Sequence, residues 1–296
     1  MRIFFLGETQ TRHIAKIYLS MGHNVWILAD GHKSSKFKNI LELFRSDIVY
    51  QVSGMDIKKN KYLALATFLK KKIILHWIGT DVLLTTEAYR KSGKIINANY
   101  PHINLACAIH LKDELAQIGI QAEYVPIFPT DISFELLPLP DNHAVLSYIP
   151  ETRAEFYGIR ELRYLAEKFP HIDFHIVANN GQSDTKPLPN LFYHGFLSWE
   201  ELRDIYKRCT ILFRYTKHDG LPVMLIEALG LGRQAIFSFE FPYVHTPRAN
   251  NLEDLEDLFS QLISLPPEVN HEGSKYVNSH FTKAILVERY KELNLI

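Results

Sequence analysis

Short uninterrupted apolar runs alternate along this chain with segments whose apolar residues recur at helical spacing, and that alternation leaves few ways to fold. Arg2–Leu6 and Asn24–Leu28 are runs of strand length, and Ile14–Met21 between them repeats its apolar positions as a helix does. Strands apolar on both faces need cover on both faces. A strand, helix, strand succession provides it as a parallel sheet with right-handed crossovers. Asp47–Val52, Lys72–Leu75, Asn104–Ile109 and Glu123–Ile127 are read as further strands, with helices over Tyr62–Leu69 and from Leu111 to Gly119. The segment from Pro126 to Asn142 carries four prolines, Pro126, Pro129, Pro138 and Pro140, and resists regular structure as a linker should. The alternation then restarts. Strands are expected over Ala144–Ile149, Asp173–Ala178 and Leu191–Tyr193, with a helix whose inner face is Ile159, Leu162, Leu165 and Ala166. A Ser198/Glu201 capping box opens another helix. At 296 residues the chain has room for two such domains.

The richest stretch is ILFRYTKHDGLPVMLIEALGLGRQAIFS, from Ile211 to Ser238. It reads as a buried strand, a polar loop, a helix with apolar Leu225, Ala228 and Leu229, and a second strand. Pro222 stands where a first helical turn tolerates a missing N–H, and Gly230 and Gly232 mark the helix end. One charge breaks the apolar helix: Glu227, eight positions after Asp219 in the feeding loop. Two carboxylates so spaced can converge at the carboxyl end of a strand, the edge where open α/β sheets bind ligands. The plainer reading makes Asp219 a cap and Glu227 a solvated helix residue. In the first half, HWIGTD (His76 to Asp81) follows a strand directly and supplies donors, an acceptor and a flat apolar face around Gly79. The alternative for His76 is a hydrogen-bonded structural histidine, and Trp77 reads as core.

Composition excludes several classes. Lysine plus arginine equals aspartate plus glutamate at 33 each, which argues against wholesale nucleic-acid binding. Residues 1–135 nevertheless carry 17 basic and 12 acidic side chains against 16 and 21 in the remainder, about +5 and −5. Such lysine-rich runs are ordinarily solvated faces; the alternative is a peripheral surface for anionic lipid. No apolar run nears the roughly 20 residues that cross a bilayer, and Cys107 and Cys209 in apolar surroundings give neither a metal site nor a disulfide framework, so a cytoplasmic, reducing setting is expected. Gly7 stands alone after the first strand, which disfavours a dinucleotide-binding dehydrogenase.

The Asp219 to Glu227 stretch resembles the E-x7-E signature of retaining glycosyltransferases of family 4, in a short HDG variant with aspartate at the first acidic position. The resemblance implies a GT-B fold: α/β, two doubly wound Rossmann-like domains facing across a cleft. Its expected boundaries are 1–134 for an acceptor-side domain, 135–280 for a nucleotide-sugar-binding domain, and 281–296 for a terminal helix returning to the first domain. It implies transfer of a sugar from a nucleotide-sugar to an acceptor hydroxyl with retention of anomeric configuration. Glu227 would hold the ribose hydroxyls, and Asp219 with the N–H groups after it would hold the sugar, with His76 facing that sugar in a catalytic role. Gly220, Leu221, Pro222, His218, Lys217, Arg214, Arg153 and Phe196 complete the expected donor site, and Gly7, Glu8 and Asp81 the acceptor side. No metal and no cofactor is expected, since the donor is itself the substrate and positioned cations with a helix start can carry a departing diphosphate. The acceptor, whether glycan, lipid or small molecule, stays open.

Two departures from the family pattern stand out. Where an Arg and a Lys usually precede the glycine of the second domain's first loop, Tyr157 precedes Gly158 and Arg153 is displaced. A glycine pair expected after the signature is replaced by Phe239 to Arg248. These keep two alternatives open, an inactive nucleotide-sugar-binding protein and a sugar-nucleotide epimerase; a phosphorylase is disfavoured by chain length.

Overall fold

The computed structural model describes residues 1–7, 10–29, 35–100, 102–130, 134–249 and 251–296. The chain forms two compact units, one of Met1–Ile132, Asp219–Leu221 and Phe281–Ile296, the other of Ser133–His218 and Pro222–His280.

The first unit is built on six strands, β1 (Arg2–Gly7), β2 (Asn24–Ala29), β3 (Ile48–Val52), β4 (Lys72–Trp77), β5 (Ile103–Ala106) and β6 (Glu123–Tyr124). They pair in the order β2-β1-β3-β4-β5-β6, every pair parallel. All five residues of β3 and residues 73–77 of β4 are buried, as strands covered on both faces must be. Helices α1 (Thr11–Ser20), α2 (Lys36–Arg45), α3 (Lys61–Phe68), α4 (Thr80–Ser92) and α5 (Ile109–Gln117) make the crossovers. The sequence alone had assigned no helix to α2 or α4, and had carried the fifth strand to Ile109, where α5 already begins.

Strands β7 (Ala144–Tyr148), β8 (Asp173–Val177), β9 (Leu191–Tyr193), β10 (Ile211–Arg214) and β11 (Gln234–Phe237) form the second sheet, in the order β11-β10-β7-β8-β9, again all parallel. Around it lie α6 (Ile159–Lys168), α7 (Trp199–Arg208), α8 (Val223–Gly230), α9 (Leu252–Ile263) and α10 (His271–His280). The Ser198/Glu201 capping box is present at the start of α7. Arg233 is 1% exposed and donates to the carbonyls of Leu137, Pro138, Leu231 and Tyr206, which ties part of the proline-rich segment to this sheet. Burial lowers its guanidinium pKa to about 10, still charged at neutral pH.

The last helix, α11 (Lys283–Glu292), packs within the first unit. Tyr290 is fully buried with its hydroxyl 3.1 Å from that of Tyr50, and Arg289 pairs with Glu123 at 2.9 Å.

Candidate functional site

In the second sheet, strand order reverses between β7 and β10: β8 and β9 continue to one side of β7, β10 and β11 to the other. At such a switch point the loops leaving the two central strands diverge and leave a crevice at their carboxyl ends. Here those loops are stitched together just beyond the sheet. The Lys217 N–H donates to the Phe156 carbonyl at 3.0 Å. Gly158 lies at φ 79°, and a Cβ there would stand 2.1 Å from the Tyr215 carbonyl oxygen, so only glycine fits.

Arg214, the last residue of β10, is 7% exposed. It donates from Nη1 to the Tyr148 carbonyl at 3.2 Å, and its guanidinium lies 5.3 Å from the Tyr148 ring and 4.6 Å from the Tyr157 ring. Arg153 approaches the same Tyr157 ring at 5.5 Å and the Phe156 ring at 4.2 Å. Tyr157, at the position where the sequence lacked an expected cation, is thus flanked by two arginines. Ring faces attract guanidinium groups, so the tyrosine gathers charge at the mouth of β7 and β10.

Glu227 is 6% exposed in the second turn of α8. Its Oε2 accepts a hydrogen bond from the Tyr206 hydroxyl at 3.1 Å. Among the described residues Oε1 has no protein donor. Burial pushes the carboxyl up to about 7, partly offset by the Tyr206 bond. Tyr206 is itself buried on α7, its hydroxyl pKa raised by burial and by Glu227 and pulled back by Arg214, which lies within electrostatic reach. A tyrosine hydroxyl in a dry helix face needs a partner; the sequence showed only the tyrosine, not the carboxylate it would meet.

The other expected donor-site residues are distributed less simply. Pro222 is the residue before α8, which starts without a side-chain cap. Asp219, Gly220 and Leu221 cluster with the first unit. Asp219 Oδ1 accepts from the Gly220 N–H at 2.9 Å, and its carbonyl lies 2.9 Å from His110 Nε2. A Cβ on Gly220 would stand 2.1 Å from the Ile78 carbonyl oxygen. His218 is buried against Phe239, and Phe196 is 82% exposed. Arg153 and Lys217 line a cleft of about 660 Å³ in the second unit, together with Arg163, Asn179 and Asp184. Glu227 and Arg214 do not line it, and its Asp184 is already held by Arg163 at 2.7 Å and Tyr193 at 2.8 Å. Glu227 keeps an oxygen that no described residue fills, whereas the aspartate of that cleft is already paired.

In the first unit three residues expected at the site have partners within the fold. His76 is fully buried: Nδ1 accepts from the Tyr50 hydroxyl at 2.8 Å, and Nε2 donates to the Val125 carbonyl at 2.8 Å. Desolvation holds its pKa down near 3, so it is neutral with both nitrogens spent, and no edge is left for a sugar. β4 runs on through Trp77, which puts His76 inside the sheet. Asp81, 8% exposed, accepts from the backbone N–H groups of Gly54, Ile78, Gly79 and Val82 at the start of α4, so its oxygens are committed to the fold. Gly7, at φ 131°, would set a Cβ 2.1 Å from the Val52 carbonyl oxygen, a packing reason for glycine. Glu8 lies outside the described residues. Cys107 and Cys209 are free and buried, and among the described residues no group of three His, Cys, Asp or Glu side chains is arranged to hold a metal ion.

No protein-family model and no curated protein sequence matches the chain. Solved structures do. Sucrose-phosphate synthase from Thermosynechococcus elongatus superposes with a TM-score of 0.70 at 10% identity, covering 100% of this chain and 98% of that one. An alpha-glucosyltransferase in complex with UDP-glucose and DNA containing an abasic site gives 0.60 at 11% identity, with 99% of both chains covered. The fold is GT-B. UDP-GlcNAc 2-epimerase from Neisseria meningitidis, bound to UDP-GlcNAc, shares it, with a TM-score of 0.54 at 13% identity over the whole of both chains.

Proposed function

We propose that this GT-B chain is a glycosyltransferase that moves a sugar from a nucleotide-sugar to an acceptor hydroxyl with retention at the anomeric carbon. The observation that carries the reading is Glu227: a buried carboxylate beside the strand-order reversal, held by Tyr206 on one oxygen and without a protein donor on the other among the described residues. A vicinal diol such as ribose offers the donors that carboxylate lacks. Arg153 and Arg214, gathered on Tyr157, supply charge for the diphosphate, with Lys217 and the uncapped start of α8 adding to it. Asp219 and the backbone after it are assigned to the sugar, as in the family the stretch resembles, and Phe196 to the base. Catalysis then consists of stabilising an oxocarbenium-like sugar and a departing diphosphate by fixed donors and cations, without a divalent ion.

The likeness to a UDP-GlcNAc 2-epimerase favours a second reading, in which the same donor site works on the nucleotide-sugar itself. Incubation with a panel of nucleotide-sugars separates the two. Release of nucleoside diphosphate, with product of unchanged anomeric configuration by NMR and activity that survives EDTA, is the expected result. A new nucleotide-sugar without diphosphate release would mean an epimerase, and binding without either product an inactive relative. Activity lost on chelation and restored by magnesium or manganese would overturn the metal-free assignment.

A further inference from the structure

Helix α2 turns its apolar side outward. Phe37, Ile40, Leu41 and Phe44 are 78%, 41%, 37% and 51% exposed, whereas Asn39 and Leu43 are the buried positions. At about 100° per residue the four exposed side chains fall on one stripe, roughly 100° wide. Lys36 borders that stripe on one side, Lys38 and Arg45 on the other. The helix has one acid, Glu42, behind the stripe and within 3.4 Å of Arg45. Phe68, 82% exposed at the last turn of α3, is a fifth exposed apolar side chain, and α3 packs on α2. Lys70 follows it, and Lys71 donates to the carbonyls of Phe44 and Ser46, anchoring the carboxyl end of α2.

We infer that α2 is a membrane-docking helix that lies flat on an anionic bilayer, with Phe37, Leu41 and Phe44 in the acyl boundary and the flanking cations on lipid phosphates. A soluble surface spends apolar side chains singly, not as a whole helical stripe. An apolar stripe bordered by cations on both sides is the pattern of an interfacial helix. Lysine borders also favour phosphate over a protein partner, whose binding surfaces are depleted in lysine. The helix, about 15 Å long, is too short to span and the right size to lie on the surface. This stands independently of the donor site on the other unit.

The full chain should float with vesicles of phosphatidylcholine containing phosphatidylglycerol and bind phosphatidylcholine vesicles weakly, with salt reducing the difference. Phe37→Ser with Phe44→Ser should weaken binding at least about tenfold. Lys36→Gln and Lys38→Gln should each cost about fivefold on anionic vesicles only. These side chains are exposed, so melting temperature and nucleoside diphosphate affinity in solution should not change. Should the serine variant fail to fold, Phe44→Trp keeps the bulk, and brominated lipid should quench it. Equal flotation of parent and serine variant, or no flotation and no quenching, would overturn the inference. So would a concentration-dependent dimer, seen by sedimentation and abolished by the serine pair, since the stripe would then cover a second copy of the chain.

Discussion

At the carboxyl end of β4 in the first unit, His76 and Asp81 are buried and every polar atom of theirs that matters is taken: two partners for the imidazole, four backbone donors for the carboxylate. Around the carboxyl end of β10 in the second unit, Glu227 is equally buried, yet half of its carboxylate is unclaimed among the described residues. Burial alone therefore does not separate structural from functional polar groups. On the proposed reading, what separates Glu227 from His76 and Asp81 is that the fold has used up the hydrogen-bonding capacity of the latter two. A saturated group stabilises; a buried group with spare capacity costs stability until something fills it.

Replacing a saturated group should damage the fold. His76→Ala removes a fully buried ring with both its bonds and leaves the Tyr50 hydroxyl and the Val125 carbonyl short of partners. A loss of roughly 3–5 kcal/mol is expected, read as a fall in melting temperature. An unchanged melting temperature with loss of turnover would return His76 to the chemistry. His76 also has a pH signature. Its folded pKa, about 3, lies below the ordinary 6.5, so the stability it confers is complete above pH 6.5 and drains as pH falls, by about 2 kcal/mol at pH 5. His76→Gln, compared with the parent by denaturation between pH 5 and 8, should lack that slope.

Gly158→Ala should cost roughly 2 kcal/mol or more, from the positive φ and the collision with the Tyr215 carbonyl. It should also weaken nucleotide binding, because the stitched loops carry Arg153 and Lys217. A stable variant with unaltered affinity would detach these loops from the site. The smallest effect is expected from Tyr206→Phe. Without its hydroxyl donor the carboxyl of Glu227 rises further, so affinity for a nucleoside diphosphate should fall a few-fold at pH 7 and recover as pH is raised. An affinity loss independent of pH would mean that Tyr206 does not act through Glu227.

The doubly wound architecture was legible because strands buried on both faces write themselves as unbroken apolar runs. Glu227 was legible for the opposite reason, a charge where every neighbour is apolar. α2 was not, since its apolar residues face outward and periodicity does not say which side is inside. α4 was hidden by HWIGTD, which contains both the end of β4 and the helix start at Thr80, joined through Gly79 at φ 141°. The overlong fifth strand came from an apolar run that crosses from β5 into α5, where strand and helix cannot be told apart by pattern. His76 looked like a loop residue because β4 ends two residues later than its purely aliphatic core. Tyr206 matters through Glu227, and Tyr157 in part through Arg214, partners far away in sequence that no local pattern displays.

Glu227→Gln tests the difference between saturated and unsaturated burial most directly. The folded pKa of Glu227, about 7, lies above the ordinary 4.5. Its favourable contribution is therefore full below pH 4.5 and lost as pH rises through 7, when the buried carboxylate must ionise. At pH 8 the ligand-free glutamine variant should be more stable than the parent by roughly 2–3 kcal/mol. Its affinity for a nucleoside diphosphate, UDP first, should be about ten- to hundredfold weaker. Lower stability together with unchanged nucleotide affinity would contradict the account, because Glu227 would then belong with His76 and Asp81 as part of the fold.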